Sequence, residues 1–279
     1  MALKKIEQRK KRWSFIILFV ISFLWLLPIV WVISTSFKSE AEAVSGGLNL
    51  IPRDFTLASY RYIFTDDQHN VLHYVFNSMR AAGLHTGLYL VVASLAAYAY
   101  GILKFRGRDK LFWALVATMM IPVVMNLVPL YSLMITFQWL NSLQALVVPG
   151  LGGVFGIFLL RQFNLGIPRD IIESAQIDGA NHFQIYLRLI LPLTKPALVV
   201  VALFAFMANW NEYLWPLVVL SDDTHRTLPV GLALMQGNYN IYYSRLMAAT
   251  TVSMIPVMAL FMFAQRYFIK GITMTGSKG

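Results

Sequence analysis

The sequence predicts an all-α polytopic membrane protein with six transmembrane helices and both termini on the cytoplasmic side. Three observations carry this. Of 279 residues, 58% are hydrophobic and only 13% charged, with a mean hydropathy of +0.61, whereas a soluble domain carries about a quarter charged residues. Several apolar stretches reach the ~20 residues that a helix needs to cross the hydrocarbon core, and the short alternating segments of a membrane β-barrel are not seen. Lys and Arg concentrate in alternate connections, the pattern of cytoplasmic loops.

Taken in order, a basic arm over 1–12, with Lys4, Lys5, Arg9, Lys10, Lys11 and Arg12, precedes a first span over 13–35. The arm resembles the start of a signal peptide. The apolar run after it is too long for a signal core and has no small-residue cleavage pattern, so it reads as a retained span. Residues 13–279 form a single transmembrane domain, with further spans at 82–103, 111–137, 143–164, 197–220 and 246–268. The "KFRGRDK" loop, the segment 166–196 and the tail with Arg266, Lys270 and Lys278 share the basic side with the arm. The connections 36–80 and 221–245 face the other side. The first suggests short interfacial helices, and Tyr239, Tyr242 and Tyr243 in the second read as ordinary interfacial anchors. This flanking pattern accounts for the net charge of +10 without a nucleic-acid partner. The absence of cysteine excludes disulfides, thiolate chemistry and Cys-based metal sites.

The segment 166–196, containing "ESAQIDGANHFQIYLRLILPL", is too polar to cross lipid yet strongly patterned. Pro168 suits the first turn of a helix, with Asp170 and Glu173 near the positive end of its dipole. Gly179, after Asp178, can take the left-handed conformation that ends a helix, and Asn181 can cap a second one. There Phe183, Tyr186, Leu187, Ile190 and Leu191 recur at helical spacing on one apolar face. Pro192 halts that helix and Pro196 opens the fifth span. A connector lying on the inner leaflet explains the amphipathic second half. It explains the first half less well, because Glu173 and Asp178 would face anionic headgroups. A protruding elbow fits a groove on a soluble partner better.

This stretch resembles the EAA loop of permease subunits in bacterial ATP-binding-cassette importers. Glu173, Ala175, Gly179, Leu191 and Pro192 keep the spacing of that pattern, with Ser174 and Leu189 as small departures. "PIVWVISTSFKS", "GIFLLRQF", "NWNEYLWPLVVL" and the tail "QRYFIKGITMTGSKG" are similar to the carbohydrate branch, specifically the second permease of maltose-type systems. The resemblance implies a type I importer permease fold in the bacterial cytoplasmic membrane. It also implies a second homologous permease subunit, two cytoplasmic ATPase subunits, an extracytoplasmic solute-binding protein, and a sugar substrate, an oligosaccharide or related polyol. Glu173, Ser174, Ala175, Asp178, Gly179, Ala180, Leu191 and Pro192 would then couple to one ATPase, and the tail around Gly276–Gly279 would reach toward it. ATP and Mg would bind that partner, and this chain would bind no cofactor. The sequence contains no G-x-x-x-x-G-K-[ST], as expected if hydrolysis occurs elsewhere.

Asn209, Trp210, Asn211, Glu212 and Tyr213 cluster in the fifth span, where ionisable and amide groups mark cavities or partner contacts. Amides and a carboxylate for hydroxyls, with aromatics for ring faces, suit a sugar path. Asn126, between Pro122 and Pro129, is a further candidate, since broken helices line transport routes. Hydrogen bonding between helices is an equally open reading of the first group, and a helix kink satisfied by its neighbours is the commoner one for Asn126. His85 with Thr86 reads as an interhelical hydrogen bond, "GLGGVFG" as close helix packing, and Pro216 as a kink. His69, His73, His182 and His225 lie in loops without metal-ligand spacing. A secondary transporter would favour inverted repeats and buried charge relays, for which Glu212 alone is thin support. An intramembrane hydrolase would need a nucleophile–base arrangement that is not evident. A glycerol-phosphate permease stays open as an alternative, although the spans hold no arginine cluster for phosphate.

Overall fold

The computed structural model describes residues 2–45, 47, 49–66, 70–237 and 241–275, with side chains described between Lys11 and Arg266. His69, Tyr239 and the tail 276–279 lie outside the described residues, as do the side chains of Lys4, Lys5, Arg9, Lys10 and Lys270. Regular structure among the described residues is entirely helical. Among the described residues, three helices are long and apolar enough to cross a membrane: Lys11–Ser36, Val71–Gly101 and Tyr243–Arg266. Three bent pairs bring the number to as many as six if each pair is one span.

The bends fall where proline or glycine interrupts the backbone ladder. Arg108–Met120 meets Val123–Thr136 at 90° around Pro122, and Leu143–Gly152 meets Val154–Leu165 at 44° at Gly153. His182–Leu193 meets Lys195–Trp210 at 78° at Thr194, just before Pro196. Two boundaries and one expected kink differ from the sequence reading. The second span begins at Val71 rather than 82, because polar Asn77, Ser78 and Arg80 are carried on the same helix. The fifth stops at Trp210 and resumes as Leu214–Val219, so its break lies at 211–213. Pro216 is buried inside the shorter helix instead of kinking the long one.

The contacts divide the chain into two compact units. In the unit of Met1–Leu72 with Leu232–Ile255, the most apolar window of the first helix has no buried residue, as suits a helix facing hydrocarbon. Beyond its end Lys38 is 3% exposed, and its Nζ donates to the Asn49 carbonyl at 2.6 Å, since a buried ammonium needs an acceptor. Carboxylates serve as caps. Glu42 accepts from the N–H of Arg53 at 3.0 Å, and Glu40 accepts from the N–H of Tyr243 at 2.6 Å and of Ser244 at 3.1 Å. The second cap puts negative charge at the start of the Tyr243–Thr275 helix, where the dipole favours it. Arg245 lies over the rings of Tyr62 and Tyr242, 3.6 and 4.2 Å from their centroids.

In the unit of His73–Gly231 with Pro256–Gly279, Ala93 and Ala97 pack against Ile157, Leu160, Ala197 and Val201; small residues let helices approach closely. The "GLGGVFG" stretch takes this furthest. A Cβ on Gly150 would come 2.5 Å from His85, and one on Gly156 would come 2.7 Å from the Tyr89 hydroxyl. That hydroxyl donates to the Gly153 carbonyl at 3.0 Å and accepts from the Gly156 N–H at 2.8 Å, supplying the cap that Gly153 cannot. Arg161, 7% exposed, donates to Asp109 at 2.8 Å and to the Tyr100 carbonyl at 3.1 Å. His73 lies on a helix rather than a loop, and its Nε2 donates to the Thr224 carbonyl at 2.6 Å. Beside it the hydroxyl and N–H of Thr224, together with His225, lower the Asp222 carboxyl to about 2.

Candidate functional site

The segment 166–196 folds as a helix, a glycine turn and a second helix, the elbow that its sequence suggests. Arg169–Ile177 is helical, with Asp170 in its first turn and Pro168 one position earlier than expected, as the capping residue. The helix ends in a double closure: the Ala180 N–H donates to the Ala175 carbonyl and the Gly179 N–H to the Gln176 carbonyl, both at 3.0 Å. This motif needs a left-handed residue, and Gly179 supplies it at φ +83°. Asn181 then opens the second helix with a reciprocal capping box. Its side chain accepts from the Gln184 N–H at 2.9 Å, and the Gln184 side chain accepts from the Asn181 N–H at 2.9 Å.

The second helix differs from its expected pattern. Residues 186–190 form a π turn and the helix runs on through Leu191–Leu193, so Pro192 sits inside it and does not end it. The wider turn shifts the phase of the buried face. Ile185, Tyr186 and Ile190 are buried, whereas Phe183 is 65% and Leu187 44% exposed. Ile185, Tyr186 and Ile190 form a core with Tyr98 and Ile172, against which Ala175, Ala180 and Leu191 pack. Ser94 and Tyr186 share a hydrogen bond at 2.7 Å, and Tyr98 shares one with His182 at 3.3 Å. The elbow is thus anchored to the Val71–Gly101 helix. Glu173, Ser174, Asp178 and Gly179 stay exposed, and Ile177, 86% exposed, stands at the apex.

A cavity of about 600 Å³ forms a second candidate. His85, Tyr89, Asn209, Glu212 and Trp215 give it polar edges, and Phe155 and Phe204 give it apolar walls. Its polar groups are held by a local defect. The Leu143–Val147 helix ends just before Pro149, which leaves its last carbonyls without helical donors. Trp215 Nε1 donates to the Ala145 carbonyl at 2.8 Å, Asn209 to that of Leu146 at 3.2 Å, and His85 to that of Val147 at 2.9 Å. The interhelical hydrogen bond expected of His85 is therefore present, and Asn209 both bonds between helices and lines the cavity. Glu212 is exposed and accepts from the Trp215 N–H at 3.2 Å.

The structure brings Asn209 and Glu212 to this cavity and leaves the other candidates outside it. Trp210, 3% exposed, stacks on Phe206 with centroids 5.7 Å apart. Asn211 donates to the Met207 carbonyl at 2.9 Å. Tyr213 and Asn126 are exposed elsewhere, the latter at the junction of a 3-10 turn and the Leu127–Thr136 helix. Sequence reasoning missed Tyr89 and Trp215 as lining residues. The proline after an apolar run was the available signal, since it frees carbonyls that side chains must then satisfy. Among the described residues there is no grouping of three or more His, Cys, Asp or Glu able to hold a metal ion.

A family model for the binding-protein-dependent transport system inner membrane component matches residues 89–274. The chain is 35% identical over 263 residues to the arabinooligosaccharides transport system permease protein AraQ of Halalkalibacterium halodurans, with 93% of each chain covered. It is 31% identical over 263 residues to the trehalose/maltose transport system permease protein MalG of Thermococcus litoralis, covering 93% of this chain and 94% of that one. A crystal structure of a bacterial transporter that imports the acidic polysaccharide alginate superposes with a TM-score of 0.79 at 24% identity. That match covers 91% of this chain and 95% of the other, and bears on the fold.

Proposed function

The chain belongs to the family of binding-protein-dependent transport system inner membrane components, and from that membership we propose how it is driven and where its solute passes. It is a multi-pass inner-membrane permease subunit of an importer for sugars or oligosaccharides, and is itself non-catalytic. It works with an extracytoplasmic solute-binding protein. It pairs with a second, homologous permease, and two cytoplasmic ATPase subunits that hold ATP and Mg supply the energy. The basic connections, including 166–196, face the cytoplasm.

One observation carries the coupling reading: the Arg169–Gly179 elbow presents Glu173, Ile177 and Asp178 to solvent while its other face is locked to the Val71–Gly101 helix by the Ile172, Ile185, Tyr186 and Ile190 core. Force applied at the apex by a closing ATPase is passed to a membrane helix through packed side chains instead of a flexible loop. Glu173, Ser174, Ala175, Asp178, Gly179, Ala180, Leu191 and Pro192 are the proposed coupling residues. Affinity isolation of the tagged permease tests this. The ATPase should co-purify with the wild type and be lost from Glu173→Lys while membrane insertion is kept; normal uptake by Glu173→Lys cells would overturn the assignment.

The sugar path is proposed along the cavity of Tyr89, Asn209, Glu212 and Trp215. Its lining carries one carboxylate and no Lys or Arg, which suits hydroxyl groups over phosphate and disfavours a glycerol-phosphate substrate.

A further inference from the structure

At the junction of the Val71–Gly101 and Arg108–Ala117 helices, two adjoining hollows of about 460 and about 600 Å³ share Lys104, Phe105 and Arg169. They differ in chemistry. The smaller has a mixed lining, with an apolar side of Ile102, Leu103, Leu165 and Ile167 and a polar side of Glu173, Gln176 and His182. The larger is basic, adding Arg106 and Lys110 to the shared pair.

The charges around the basic hollow are unevenly used. Its one acid, Asp109, pairs with Arg108 at 3.2 Å and with Arg161 at 2.8 Å. Lys104, Arg106, Lys110 and Arg169 are exposed, and no acidic side chain lies within ion-pair distance of them among the described residues. Four cations without an ion-pair contact among the described residues therefore face one hollow that adjoins the apolar side of the other, at the end of two membrane helices.

We propose that this cup binds one anionic phospholipid, with its phosphate among Lys104, Arg106, Lys110 and Arg169 and its glycerol and upper acyl chain against the apolar side of the smaller hollow. Basic pockets between helix ends on this kind of surface take anionic headgroups. A free phosphate would satisfy the cations but leave that apolar side uncovered, which is why a lipid is the source of that phosphate. The lipid touches Arg169 and Ile172 and so braces the base of the elbow. This assignment rests on the membrane location and not on the coupling role.

Native mass spectrometry of the assembled importer, stripped of lipid and titrated with phosphatidylglycerol or phosphatidylcholine, tests it. Phosphatidylglycerol should be retained about tenfold better than phosphatidylcholine, and Lys104→Gln with Arg169→Gln should weaken that retention about 30-fold. The charge-keeping pair Lys104→Arg with Arg169→Lys should stay within about threefold of wild type, and millimolar inorganic phosphate should leave the lipid in place. Equal retention of the two lipids, or undiminished retention in the neutral variant, would overturn the proposal. Displacement of the lipid by inorganic phosphate, which then binds alone, would make the cup a site for soluble phosphate and overturn it equally.

Discussion

Replacing Gly179 separates two reasons for which an elbow demands glycine: backbone conformation and the close approach of a partner. At φ +83° the residue is in the left-handed region, and a Cβ built there meets nothing within 4 Å. Within the permease, Gly179→Ala therefore costs only the conformational penalty of an L residue in that well, about 1–2 kcal/mol. Gly179→Asn costs less, because Asn visits that region readily. Gly179→Pro is of another order. Proline holds φ near about −65° and has no N–H, so it abolishes the donor to Gln176, a bond of 3.0 Å whose loss adds roughly 1 kcal/mol. The turn cannot form at all. Sugar uptake by cells, measured beside the amount of inserted permease, should fall at most severalfold for Gly179→Ala, less for Gly179→Asn, and to background for Gly179→Pro. Wild-type uptake by Gly179→Pro would refute the elbow. Loss of uptake by an inserted, stable Gly179→Ala would refute the conformational account and assign the glycine to close contact with a partner.

Tyr89→Phe removes the hydroxyl that joins the Gly153 carbonyl to the Gly156 N–H. It should lower the thermal stability of the purified permease by about 1–3 kcal/mol; an unchanged melting temperature would contradict the capping role. Glu212 is exposed and accepts one backbone hydrogen bond, so Glu212→Gln should reduce uptake while leaving thermal unfolding unchanged. Full uptake by that variant would remove Glu212 from the path. Asp222 is held at about 2 by the Thr224 hydroxyl and N–H and by His225, below the unfolded value of about 3.9. Its contribution is therefore complete above pH ~4 and fades as pH falls toward 2. After correction for the intrinsic exchange rate, the protection of residues 221–226 should fall over that window in the wild type and stay level in Asp222→Asn. An identical profile for the two proteins would contradict it.

Features written within a few residues were legible in the sequence. Gly179 and Asn181 were placed correctly because a helix stop and an N-cap depend on local backbone chemistry. "GLGGVFG" pointed to close packing because glycine has few other uses in an apolar helix. The π turn at 186–190 was not legible: a pattern read at 3.6 residues per turn assumes the regular helix that this turn departs from, and so misassigned Phe183 and Leu187. Nor was the Glu40 cap on Tyr243 and Ser244, since nothing local marks partners that lie 203 and 204 residues apart. The cluster around Glu212 was half legible. Polarity singled out Asn209 through Tyr213, but the helix break at 211–213 sends Asn209 and Glu212 toward the cavity and Trp210 into the core. That choice depends on the three carbonyls freed before Pro149, which lie on another helix.

The chain contains no cysteine, so a single introduced thiol reports one position without background. Asp178 is exposed at the apex of the elbow, and Ser221 is exposed in the connection 221–245. With a short bifunctional thiol–amine reagent applied to membranes containing the whole importer, Asp178→Cys should form a covalent adduct with the ATPase subunit, and Ser221→Cys should form none. An Asp178→Cys permease that transports sugar but gives no ATPase adduct, or an equal adduct from Ser221→Cys, would contradict the claim that this elbow receives the ATPase's stroke.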